Sequence, residues 1–124
     1  MGVVKRVLSR ERLRKIPPQF NWVDHRLVRD RRICGVSAQA LALYLFLVTV
    51  ADAEGLSYYS DTTLLTMLPL DGPALLRARQ ELVAAQLIAY QKPLYQVLAL
   101  DPPRPACPAP QTLGQILQEM ERAG

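Results

Sequence analysis

The chain has 124 residues, half of them hydrophobic, and carries a net charge of +4 with two cysteines and one histidine. That length and composition support one domain with tails, and they exclude a disulfide framework or a zinc-ligand cluster, since Cys34 and Cys107 lie far apart and His25 is alone. A reducing, cytoplasmic setting is expected, and no secretory signal, because no apolar run follows the basic residues at the N-terminus. The charge is divided: residues 1–36 hold ten Lys and Arg against three acids, and residues 37–124 hold five against eight. An anionic partner is therefore expected to meet the N-terminal third.

Taken in chain order, residues 1–19 form a basic arm. Within it, residues 3–16 place Val4, Val7, Leu8 and Leu13 on one side of a short helix among Lys5, Arg6, Arg10, Arg12, Arg14 and Lys15, and Pro17 and Pro18 end it. A domain is expected over residues 20–100. Phe20, Trp22 and Val23 give it apolar anchors before a second basic cluster, Arg26, Arg29, Arg31 and Arg32, and Trp22 is expected to pack on the domain rather than to stack on a base. Ser37 then caps a helix that runs to Gly55 through an almost unbroken apolar stretch. That helix is apolar on nearly all sides, so it must be covered all round, in part by the segment around Phe20 to Val28. At about 14 residues the apolar stretch is too short for a membrane span, which takes about 20.

Leu56-Ser57-Tyr58-Tyr59 is a β-prone tetrad, and Ser60 caps a short helix with Leu64, Leu65, Met67 and Leu68 on its apolar side. Pro69 ends that helix, and Asp71 caps the next, with Pro73 in the first turn. This third helix runs to about Gln86. Leu75, Ala78, Leu82 and Ala85 fall on its buried face, and Arg77, Gln80, Glu81 and Ala84 lie away from it. Leu87 to Tyr90 and Tyr95 to Leu100 read as hairpin strands around Gln91-Lys92-Pro93-Leu94, setting Tyr90 opposite Tyr95 and Ile88 opposite Val97 on the core side.

The order helix, strand, helix, turn, helix, hairpin resembles the winged helix-turn-helix superfamily over Ser37 to Leu100. The resemblance is carried by Ala74 to Ile88, by Gly55-Leu56-Ser57-Tyr58-Tyr59-Ser60 and by Leu87-Ile88-Ala89-Tyr90. Winged-helix domains of bacterial and plasmid replication initiators and primosomal proteins are similar. What the resemblance implies is a mainly α fold with a small β-hairpin wing, in which Ala74 to Gln86 belongs to the recognition helix. Two positions depart from the family pattern: Gln86 stands in place of a glycine and Arg79 in place of a core leucine.

If that helix enters a major groove, Gly72, Pro73, Ala74, Leu76, Arg77 and Gln80 face the bases, and of these Arg77 suits guanine and Gln80 adenine. Lys92 is the one charge of the wing. The expected partner is duplex DNA, held by Arg6, Arg10, Arg12, Arg26, Arg29, Arg31, Arg32 and Lys92 through phosphates more than by Arg77 and Gln80 through bases. The expected role is an accessory or regulatory factor in replication, transcription or a mobile element. The alternative is a protein-docking adaptor. Scattered carboxylates and the absence of a Gly-rich phosphate loop speak against an enzyme, and no cofactor or metal is expected.

Residues 101–110 carry five prolines and read as a semi-rigid spacer. Residues 111–124 read as an amphipathic helix whose stripe, Leu113, Ile116, Leu117 and Met120, needs a partner surface. A fold-back onto its own domain is within reach of the ten-residue spacer, but a two-fold homodimer, the tail of one subunit lying on the domain of another, is the expected way to cover it.

Overall fold

A computed structural model describes residues 4–100. The spacer and the tail stripe of Leu113, Ile116, Leu117 and Met120 lie outside the described residues. Among the described residues, four helices, α1 (Arg26–Arg29), α2 (Ala38–Val50), α3 (Asp61–Met67) and α4 (Gly72–Ala84), and three strands, β1 (Leu56–Tyr58), β2 (Ile88–Gln91) and β3 (Leu94–Val97), follow in the chain order α1-α2-β1-α3-α4-β2-β3. The strands make one antiparallel sheet in the order β1-β3-β2, so the expected hairpin gains a third strand and the fold is mixed α/β.

Local chemistry sets the helix starts. The Ala40 amide donates to Ser37 Oγ at 3.1 Å, the Thr63 amide to Ser60 Oγ at 3.2 Å and the Ala74 amide to Asp71 Oδ1 at 2.8 Å, so all three expected caps are in place. The end of α2 falls earlier than Gly55. Asn21 Nδ2 donates to the carbonyls of Thr49 and Ala51, and the Asp52 carboxylate accepts from the amides of Glu54 and Leu56, which together turn the chain away from the helix axis and into β1. Gly55 serves that turn instead of the helix end, at φ +85°.

Leu43 and Leu47 of α2, Leu64 of α3, Leu75 and Leu82 of α4, Leu87, and Ile88 and Tyr95 of the sheet are fully buried and form the core. Each buried aliphatic side chain contributes about 1.5–3 kcal/mol. The hairpin has the expected register, Ile88 opposite Val97 and Tyr90 opposite Tyr95, across a two-residue loop whose Lys92–Pro93 bond is cis. On α3 only Leu64 is buried, whereas Leu65 and Met67 are exposed.

The helix α4 closes on Gln86. The Gln86 amide donates to the Val83 carbonyl and the Leu87 amide to the Leu82 carbonyl, both at 3.0 Å, with Gln86 left-handed at φ 60°. This is the glycine-type helix stop made with a glutamine. Because the side chain is exposed, Gln86→Gly is expected to raise stability by roughly 0.5–1 kcal/mol, the relief of left-handed strain exceeding the added entropy of the unfolded chain. Urea unfolding midpoints of the two proteins check it, and an unchanged or lower midpoint counts against it.

Three expectations for the N-terminal region are corrected. Among the described residues the arm has no α-helix between 4 and 16. It has a single 3-10 turn, Arg10–Arg12, and Val4, Val7, Leu8 and Leu13 are exposed, since an amphipathic pattern without a surface to pack on does not hold a short helix together. The segment from Phe20 to Val28 does run along α2, where Asn21 bonds its last turn and Leu27 is buried. Trp22 nevertheless stays 71 % exposed and Phe20 and Val23 more than half exposed, so the cover over α2 is incomplete and Leu45 remains open. Cys34 is disulfide-bonded, against the expectation that the two distant cysteines form no disulfide framework, and this removes the cysteine argument for a reducing setting; Cys107, the other cysteine of the chain, lies outside the described residues. Among the described residues no helix is long and apolar enough to cross a membrane.

Candidate nucleic-acid interface

α3 and α4 are joined by the short segment Leu68 to Asp71, and α4 packs on α2 through Leu75, Ala78 and Leu82. That burial decides which α4 side chains face outward. Leu76, Arg77, Gln80 and Val83 are exposed, and Arg77 and Gln80 make no hydrogen bond or ion pair among the described residues. Ala74 is buried and so is withdrawn from the expected base-facing set. Lys92 stands exposed in the hairpin loop.

Arg79, on the inner side of α4, has a structural role. It is only 8 % exposed. Its Nη1 donates to Asp61 Oδ1 at 2.8 Å and to the Tyr95 hydroxyl at 2.9 Å, and its guanidinium lies 4.3 Å from the centre of the Tyr90 ring. Burial opposes the Arg79 charge, but the bonds to Asp61 and Tyr95 outweigh it and hold the pKa above the usual value. The arginine therefore ties α3, α4 and the hairpin into one unit. Burial also pushes the Tyr95 hydroxyl up, against the pull of Arg79.

Glu81 is likewise engaged within the fold. Ser37 donates to it twice, from its amide to Oε1 at 2.9 Å and from its hydroxyl to Oε2 at 2.7 Å, and these bonds, backbone first, lower the Glu81 pKa. A carboxylate thus stands at the N-terminus of α2, where the helix dipole favours it. No local spacing announces this bond, because Ser37 and Glu81 lie on different helices. The Asn21 contact with the end of α2 has the same character.

The basic residues fall into three groups. Arg6, Arg10 and Arg12 lie fully outside on the arm. Arg29 is exposed beside Asp30 at 3.4 Å, and Arg31 sits in a left-handed turn at φ 58° with its Nε buried and without a hydrogen-bond partner among the described residues. Arg26 and Arg32 are used by the fold. Arg26 grips Asp24 through Nε and Nη2, with Nη2 to Oδ2 at 2.8 Å, and this side-chain bond, joined by the Arg26 amide, brings the Asp24 pKa down to about 2. Arg32 is only 3 % exposed and donates to the Leu100 carbonyl, so it is corrected from a phosphate contact to a buried tie between the Arg31–Gly35 turn and the end of β3's extension. Compared with known proteins, the chain matches no family model, no curated protein and no solved structure.

Proposed function

We propose that the chain is a DNA-binding protein of the winged-helix type, acting as an accessory or regulatory factor in replication, transcription or a mobile element. The observation that carries this reading is the outer face of α4, where Arg77 and Gln80 are exposed and make no hydrogen bond or ion pair among the described residues, on a helix whose other side packs on α2 and α3. Lys92 in the adjoining hairpin and Arg6, Arg10 and Arg12 on the arm add exposed positive charge. Arg29 extends the set, whereas Arg32 and Arg26 do not contribute in full because Leu100 and Asp24 already hold them. Affinity comes chiefly from phosphates, since one arginine and one glutamine read few bases.

Fluorescence anisotropy on several unrelated duplexes tests the reading. At low salt, binding in or below the non-specific range of about 10⁻⁴–10⁻⁶ M is expected, and it weakens steeply as salt rises. Replacing Arg6, Arg10 and Arg12 together by Gln lowers the slope of log affinity against log salt by roughly three units. Absence of binding at about 100 µM protein in low salt would remove the DNA reading.

A second reading rests on the same helix. Leu76, Gln80 and Val83 share one stripe, and both aliphatic members are exposed, which suits docking to another protein. An adaptor of that kind holds its partner at high salt and loses it on Leu76→Asp, whereas DNA contact is lost at high salt.

A further inference from the structure

A groove of about 790 Å³ runs along the side of α2 that the N-terminal segment leaves uncovered. Trp22, Val23 and Val28 of the N-terminal segment and Leu41 and Leu45 of α2 line it, together with Arg14 and Arg29. Its apolar residues are open to an unusual degree, Val28 at 72 % and Leu45 at 61 %. Exposed apolar surface of this kind on a domain of about a hundred residues calls for an occupant.

We propose that the occupant is this chain's own C-terminal segment, Thr112 to Ala123, folded back so that Leu113, Ile116, Leu117 and Met120 fill the groove. Four observations single it out. The described chain ends beside the groove: Leu98, Ala99 and Leu100 line a cavity that shares Trp22, Val23, Tyr44 and Val48 with it, and Arg32 fixes the Leu100 carbonyl there. The spacer is long enough, since ten residues of extended proline-rich chain reach about 30 Å and α2 is only about 20 Å long. Charge fits as well in net sign, because residues 111–124 carry Glu119 and Glu121 against Arg122, and the groove lining carries Arg14 and Arg29 against Asp24. Finally, Cys34 follows Ile33 of the groove wall and is disulfide-bonded, and the chain has one other cysteine, Cys107, placed between Leu100 and Thr112. A tail that starts at the groove binds it at a high effective concentration, so the intramolecular arrangement precedes a two-fold exchange between subunits.

The chain contains one tryptophan, Trp22, and it stands in the groove wall, so its fluorescence reads occupancy directly. In the full-length protein the emission of Trp22 is expected to be blue-shifted and several-fold less quenched by acrylamide than that of a free tryptophan amide. Leu117→Asp with Met120→Asp is expected to shift the emission to the red and restore quenching. Leu45→Asp, at a site already open to water, is expected to do the same from the other side and covers the case in which the tail variant is unstable. Protection that persists at 1 M salt and on dilution, with a monomer in sedimentation velocity, supports the fold-back. Overturning results are a wild-type Trp22 as accessible as the free amide, or protection that disappears with the loss of a dimer on dilution, which would place a second copy in the groove.

Discussion

Arg79→Leu is expected to lower the unfolding free energy by about 2–4 kcal/mol, and Tyr95→Phe in the same chain is expected to add little or nothing to that loss. Leucine is the apolar residue that a helix position facing the core ordinarily holds, so the direction is not obvious. It follows from what the substitution leaves behind. Tyr95 has no exposed surface, and its hydroxyl takes its hydrogen bond from Arg79, so without the guanidinium a buried polar atom is left unsatisfied at a cost of about 1–3 kcal/mol. The stacking of the cation on Tyr90 goes too, worth about 1–2 kcal/mol when partly desolvated. Tyr95→Phe removes the orphan hydroxyl and with it the reason for much of the loss. Asp61→Asn is milder, about 1 kcal/mol, because the carboxylate is half exposed and water screens the pair. Urea unfolding of the two single variants and the double variant closes the cycle. Strict additivity would show that the Arg79–Tyr95 bond carries no coupling. Since Arg79 faces inward, the salt slope of DNA binding is expected to stay the same in every variant that remains folded.

That network also marks how far the sequence could be read. The caps at Ser37, Ser60 and Asp71 were legible because the acceptor and the amide it serves are three residues apart, and the hairpin register was legible because a two-residue loop leaves only one pairing that puts Ile88 and Tyr95 on the same face. Side-chain bonds between distant segments were not. Arg79 with Asp61 and Tyr95, Glu81 with Ser37, Asn21 with the end of α2 and Arg32 with Leu100 depend on which faces meet, and no period in the chain encodes that. For the candidate interface the consequence is specific. A count of arginines treats Arg29 and Arg32 alike, but one is solvated and the other is buried, so the charge available to an anion is smaller than the composition of residues 1–36 suggests. Arg77 and Gln80 could be placed in advance because α4 is amphipathic and its buried face was plain. The arm misled for the opposite reason, having a helical period but nothing to pack on.

Gly55→Ala is expected to lower the melting temperature by roughly 10–20 °C, taking about 4–8 °C per kcal/mol for a domain of this size. Gly55 has φ +85°, where an L-residue costs about 1–2 kcal/mol. A Cβ there would also stand 2.7 Å from the Val97 carbonyl oxygen, which is backbone and has no rotamer to give. The same two residues are joined by the bond from the Val97 amide to the Gly55 carbonyl at 2.8 Å, so the chain cannot back away from the clash without opening the junction of β1 and β3. Together these amount to about 2–3 kcal/mol or more. Gly72→Ala is the matched control. A Cβ at Gly72 meets nothing within 4 Å, and its place in the first turn of α4 favours alanine, so its melting temperature is expected to stay the same or rise slightly. Circular-dichroism melts of the three proteins decide the matter. Were Gly55→Ala to melt with Gly72→Ala, the close approach of the α2–β1 turn to β3 would be dispensable. If it melts far below, that turn is the clasp that holds the three-stranded sheet against α2, and with it the hairpin that carries Lys92 beside α4.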